Sequence, residues 1–263
     1  MSELDDPHAE LAAIAAGVRQ HLLEEHDLGG AGLPAVAVPA PPRAQAAPAR
    51  PQASLAAVTP AGPAAIAPAA ASDKVARLQL LAEQAASCDA CALHEKRKQA
   101  VFARGDPSSP LVFVGEGPGR DEDRLGEPFV GKAGQLLDRM IAAMGFERDA
   151  VYICNVVKCR PPDNRTPRPE EALACARFLV PQVQIVAPRV IVALGRCAAE
   201  NLGVAEAAGP WRGRWGSFQG IDVMPTFHPA YLLRSPQYKR TVWEDLQKVM
   251  ARFGFGPTPG GAA

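Results

Sequence analysis

The cysteines raise the first question of chemistry. Cys88-Asp-Ala-Cys91 is a CxxC pair, and Cys159 and Cys175 form a second, wider pair. A CxxC suits a zinc site, a redox dithiol or an iron–sulfur cluster. A thioredoxin-type dithiol follows a strand and opens a helix. This one follows a helical stretch and precedes Leu93-His94-Glu95-Lys96-Arg97, which argues against that reading. Four thiolates at 88, 91, 159 and 175 suit either zinc or a 4Fe-4S cluster, and spacing alone does not decide. His94 is a substitute ligand in principle, although a loop histidine is more often solvated. Cys154 and Cys197 sit among apolar residues and read as core thiols.

A second group of residues lies in loops. Gly115-Glu-Gly-Pro-Gly119 has neither the Gly-Lys-Ser/Thr of a phosphate loop nor a Gly-x-Gly-x-x-Gly. Glu116, Glu122 and Asp123 put carboxylates beside it, which suits water activation or stabilisation of a positive transition state. Phe129, between Pro and Val in Gly126-Glu-Pro-Phe-Val-Gly131, can stack on a planar ligand or act as a lid. Asn155 carries both a donor and an acceptor, as reading a nucleobase edge requires. His228 can donate a hydrogen bond to a developing anion. The residues after it, Tyr231, Leu232, Leu233 and Arg234, can form a wedge into a base stack.

These loops need elements to hold them. Apolar strands are expected at 111–115, 151–157, 190–195 and 222–227, and helices at 74–86, 133–144, 169–186, 196–202 and 238–253. This alternation implies an α/β fold, a three-layer α/β/α sandwich with a central, mainly parallel four-stranded sheet. Ligands of such sheets sit at the carboxyl ends of the strands. That edge holds Glu116–Gly119, Asn155–Lys158, Gly195–Arg196 and His228–Arg234.

The rest of the chain differs in kind. Residues 1–30 form an acidic segment in which 6–26 read as one amphipathic helix with Leu11, Ile14, Val18 and Leu22 on one face, a possible hook for a protein partner. Residues 31–72 hold 18 Ala and 9 Pro and read as a disordered linker. Residues 73–255 form the main domain, and 256–263 a flexible tail. The formal net charge is zero, with 28 basic and 28 acidic side chains. It divides into 3 − 7 = −4 for residues 1–72 and 25 − 21 = +4 for 73–263, so the sum hides a mildly basic body. No apolar run is long enough for a transmembrane helix, and the acidic N-terminus lacks the pattern of a secretion signal. A cytoplasmic monomer that makes no membrane contact is expected, with the cysteines free or metal-bound.

Taken together, these motifs resemble family 4 uracil-DNA glycosylases, the iron–sulfur type of bacteria and archaea. The matching pieces are Cys88-x-x-Cys91, Gly115–Gly119 with Glu122-Asp123, Gly126–Gly134, Tyr152–Pro162, Cys175 and His228–Arg234, spanning roughly 75–252. The resemblance implies uracil excision from double- or single-stranded uracil-containing DNA, leaving an abasic site. It implies a 4Fe-4S cluster on Cys88, Cys91, Cys159 and Cys175, with a mainly structural role. Glu116, Gly117 and Pro118 would line the uracil pocket, Phe129 would stack on the flipped base, Asn155 would bond its Watson–Crick edge, and His228 would face O2. Glu116 is also the candidate wall against a thymine methyl, and one of Glu116, Glu122 and Asp123 would position water. Related glycosylases usually have His-Pro-Ser in the last motif; here it is His-Pro-Ala, which leaves a backbone amide to meet a phosphate. Lys96, Arg97, Lys98, Lys158, Arg160, Arg165 and Arg168 would give a basic face near the cluster. The competing readings are an iron–sulfur redox protein, a zinc-stabilised DNA-binding module, and a glycosylase of broader base range.

Overall fold

The computed structural model of the chain describes residues 71–205 and 211–255. The helix expected within 1–30, the linker up to residue 70 and the tail 256–263 lie outside the described residues. Ala71 and Ser72, assigned to the linker, already belong to the first helix, α1 (Ala71–Ala86).

Four strands are parallel, as their composition implies. They are β2 (Leu111–Gly115), β3 (Tyr152–Asn155), β4 (Val190–Leu194) and β6 (Ile221–Thr226). Every residue of β2, β3 and β4 is buried, as strands covered on both faces must be. The sheet has six strands rather than four. Three-residue antiparallel strands, β1 (Ala103–Gly105) on β3 and β5 (Gly216–Phe218) on β6, close its two edges in the order β1-β3-β2-β4-β6-β5. Neither edge strand has an apolar run, so periodicity gave no sign of them; pairing alone makes them strands.

Side-chain alternation splits the core into two layers. Val112, Val114 and Ile191 pack with α1, α4 (Pro169–Val186) and α5 (Arg196–Asn201). Leu111, Phe113 and Val192 pack on the other face with α3 (Lys132–Ala143) and α7 (Lys239–Arg252). Two six-residue helices, α2 (Arg120–Leu125) and α6 (Pro229–Arg234), are too short for a periodic signal and follow β2 and β6 directly. The chain runs from β2 out to β3, then back across β2 to β4 and β6. That reversal opens a crevice at the carboxyl ends.

The last strand is tied to the helix layer by a buried polar knot. Asp245 on α7 is 2% exposed, and its Oδ2 accepts from Thr226 Oγ1 at 2.7 Å and Arg212 Nη1 at 2.9 Å. Thr226 ends β6 two residues before His228, so the knot fixes where His228 enters the site. Replacing Asp245 with Ala strands both donors and should cost roughly 3 kcal/mol. Urea unfolding measures this as a lower midpoint with little change in slope.

Candidate active site

The turn after β2 is shaped by one carboxylate. Glu122, in the first turn of α2, accepts from Gly119 N at 3.1 Å and reaches across to Val130 N and Gly131 N, both at 2.9 Å. It thereby joins the glycine-rich turn to the loop that carries Phe129. Asp123 is buried where Glu122 is half-buried, and it points elsewhere, accepting from Lys98 N at 2.9 Å.

Phe129 has a φ of 57°, unusual for a residue with a side chain and costing about 1–3 kcal/mol. Its conformation is held from behind. Arg148 Nη2 donates to Phe129 O at 2.9 Å and Pro128 O at 3.2 Å, and Arg148 is ion-paired with Asp138 of α3. Gly134 lets that backbone come close, since a Cβ there would collide with the Phe129 carbonyl. Gly115 serves the front: a Cβ there would strike both Asn155 Oδ1 and the Phe129 ring. A strand-end residue and a loop residue thus converge over one bare glycine. Asn155 is 1% exposed, and its Oδ1 is buried with no hydrogen-bond partner.

His228 caps α6. Its Nδ1 accepts from Ala230 N at 3.1 Å, which requires a lone pair there and puts the ring proton of the neutral form on Nε2. Burial, and secondarily Arg234, lower its pKa to about 4, so at neutral pH the imidazole is uncharged. Its ring stacks against Phe129 with centroids 5.5 Å apart and planes 28° apart. The Ala230 amide, the expected stand-in for a phosphate-binding serine, is engaged by this cap.

A cavity of about 90 Å³ lies between these groups, lined by Gly117, Gly119, Glu122, Phe129, Ala133, Asn155 and His228. Most of the sequence-derived pocket residues therefore meet in one place. Glu116 and Pro118 do not line it. Glu116 bonds Thr166, and burial raises its carboxyl pKa more than that bond lowers it. The Gly119 N–H is taken by Glu122. Of the expected wedge, Leu232 is 2% exposed and packs in the core, so it cannot enter DNA; Leu233 is 44% exposed on the same helix. Tyr231 leans on Phe227 and Tyr238, and Arg234 is exposed. Arg148, Gly134 and Ala133 were not assigned roles from sequence. An isolated arginine in a turn carries no local signal of what it supports.

The second cluster of groups is sulfurous. Cys88, Cys91, Cys159 and Cys175 line one small pocket with Arg97, Lys158 and Phe178, closed to about 20 Å³. Cys159 Sγ accepts from Arg97 Nη1 at 3.2 Å and Cys175 Sγ from Lys158 N at 3.3 Å. Burial raises both thiols' pKa, that of Cys175 to about 11. Among the described residues no group of three or more His, Cys, Asp or Glu is arranged to hold a metal ion. The four thiols line one pocket and two of them accept N–H bonds, a donor set that suits an iron–sulfur group or zinc. Cys154 and Cys197 are buried and do not line this pocket. The basic face is smaller than expected. Arg97 also caps Cys88 O and Ala86 O, Arg165 forks onto Glu171, and Lys158 is 1% exposed. Lys96, Lys98 and Arg168 remain exposed.

The His228 environment has a pH consequence. Its folded pKa lies below the 6.5 of a free imidazole, so between about 6.5 and 4 the unfolded chain binds the extra proton. Stability contributed by the neutral ring is complete above that window and is lost as pH falls through it. NMR of the imidazole should show the Nε2–H form with no titration from pH 8 to about 5. A midpoint near 6.5 would contradict the buried cap.

Comparison with known proteins agrees with this geometry. Residues 102–247 match the uracil DNA glycosylase superfamily. The chain is 46% identical over 183 residues to a type-4 uracil-DNA glycosylase of Thermotoga maritima, covering 65% of this chain and 92% of that protein. It is 44% identical over 174 residues to the type-4 enzyme of Archaeoglobus fulgidus, covering 62% and 86% respectively. A type-5 uracil-DNA glycosylase of Thermus thermophilus is 36% identical over 132 residues, covering 41% of this chain and 58% of that protein. The matched region includes the Asn155 and His228 loops, the Gly-rich turn and Phe129, and the chain belongs to the type-4 uracil-DNA glycosylases of that superfamily.

Proposed function

We propose that the protein excises uracil from DNA, hydrolysing the N-glycosidic bond of an extruded nucleotide and leaving an abasic site. The observation that carries this reading is the buried, unpartnered Oδ1 of Asn155 beside a small cavity. An orphaned buried acceptor costs about 1–3 kcal/mol and is relieved by a donor. Uracil offers one, with N3–H next to the O4 acceptor, so one side-chain amide pairs with both. Cytosine reverses both positions.

The base must leave the stack, at a cost of a few kcal/mol. Leu233, exposed on α6, fills the gap, with Tyr231 and Arg234 beside it. Phe129 covers one face of the base. As the bond breaks, the sugar becomes positive and uracil negative. Neutral His228 donates from Nε2 to O2, where charge gathers. Of the three candidate carboxylates, Glu122 lines the cavity, and its charge offsets that of the sugar. Glu116, with its raised carboxyl pKa, stands outside the lining and is the candidate to accept a proton from the attacking water.

Cys88, Cys91, Cys159 and Cys175 would hold a 4Fe-4S cluster, which would supply a rigid, negatively charged joint between the chain after α1 and the β3–α4 segment. A purely electron-carrying protein has no use for the Asn155 pocket. Thymine and hypoxanthine present the same donor–acceptor edge as uracil, so a broader base range would need a pocket with room for the extra methyl or second ring.

Single-turnover assays on a uracil oligonucleotide test the pocket. Asn155→Ala and His228→Ala should each slow excision by about 100–1000-fold; wild-type rates in both would refute the assignment. A panel with hypoxanthine and thymine opposite the same partner measures base range. The cluster has its own test. Wild-type protein should be brown and bind iron, and Cys159→Ala should lose the visible absorbance and much of its solubility. Colourless, iron-free, fully active wild-type protein would exclude it.

A further inference from the structure

Lys158 was expected to face DNA, yet it is one of the most deeply buried side chains in the domain, at 1% exposure. Its ammonium donates to the backbone O of Asn155 at 2.7 Å and to Gln182 Oε1 at 2.6 Å, and lies 5.6 Å from the centre of the Phe102 ring. Gln182, fully buried on α4, is itself fixed: its Nε2 donates to Tyr152 OH at 2.9 Å and Phe102 O at 3.2 Å. Among the described residues no carboxylate pairs with Lys158. A buried cation without a counter-charge is costly. Its own backbone N–H donates to Cys175 Sγ, and Cys159 is the next residue.

The same residue therefore touches both sites. Strand pairing runs past the end of β3, with Val156 N on Gly115 O and Val157 N on Glu116 O, and then stops. Lys158 closes the following turn by reaching back three residues to the Asn155 carbonyl. The orientation of that peptide sets the direction in which the Asn155 side chain leaves the strand. We propose that Lys158 is a positioning residue for the base-reading amide, holding the Asn155 peptide through the bond from its ammonium to the Asn155 carbonyl. This rests on reading Asn155 as the uracil contact and the four cysteines as a cluster seat. Lys158 touches no substrate; it acts through Asn155.

The test uses the full chain with Lys158→Met, which keeps length and removes charge and donors. Two DNAs are compared: one with a non-hydrolysable 2′-fluoro-deoxyuridine, the other with an abasic-site analogue at the same position. Iron content, visible spectrum and melting temperature are recorded on the same samples. The expected result is near-normal iron with binding to the uracil analogue weakened about tenfold, and binding to the abasic analogue almost unchanged, as losing one aligned bond to the base would give. Equal weakening on both DNAs, or none on either, overturns the proposal. Gln182→Met removes the ammonium's other anchor and should move the same ratio in the same direction; it carries the test if Lys158→Met does not fold. Iron-free wild-type protein would refute the cluster seat, while the uracil-to-abasic ratio would still judge the positioning role. An Asn155→Ala variant with normal uracil-analogue binding would instead refute the pocket reading.

Discussion

Three backbone N–H groups from two loops end on one carboxylate, and the pocket depends on that convergence. Without Glu122 the Gly119 turn and the Val130–Gly131 segment would have no shared anchor. Phe129 would then have only Arg148 to hold it in a backbone region that disfavours side chains. The glycines around it are permissive rather than active. Gly115 and Gly134 make room, and the polar anchors decide what fills it. The result is a wall built from outside the sheet that faces Asn155 and His228, which the sheet itself supplies.

Charge is spent largely on structure. Arg97, Arg148, Lys158 and Arg165 each hold backbone carbonyls, sulfur or a carboxylate within the fold. What remains for phosphates is a thinner set of exposed cations, among them Lys96, Lys98 and Arg168. The +4 of residues 73–263 therefore overstates the attraction that DNA meets at the surface. The neutral imidazole of His228 follows the same economy, donating a hydrogen bond without carrying a charge into the pocket.

Sequence made the parallel strands and long helices readable because apolar runs such as Leu111–Gly115 and Val190–Leu194 are buried on both faces. It also placed Asn155 and His228, since the carboxyl-edge rule needs only strand ends. The edge strands Ala103–Gly105 and Gly216–Phe218 were hidden because three mixed residues have no period. Glu122 looked like a catalyst and proved to be an anchor as well. Lys158 looked like a DNA contact and proved to be buried. In both cases the deciding partners lie elsewhere in the chain: Val130 and Gly131 for one, Gln182 for the other. A motif shows which group is present, whereas the group's burial is decided by distant residues.

The strand order has a kinetic side. Gly117 follows β2 and Asn155 ends the neighbouring β3, but His228 follows β6, which reaches them only through β4. Every strand pairing in that path joins segments distant in sequence, and such contacts form slowly because loop closure precedes any gain. The pocket thus needs all three pairings in place. A nascent or partly folded molecule holds the pieces of a base-binding site without the site, so it has no means of cutting bases from DNA before its sheet is whole.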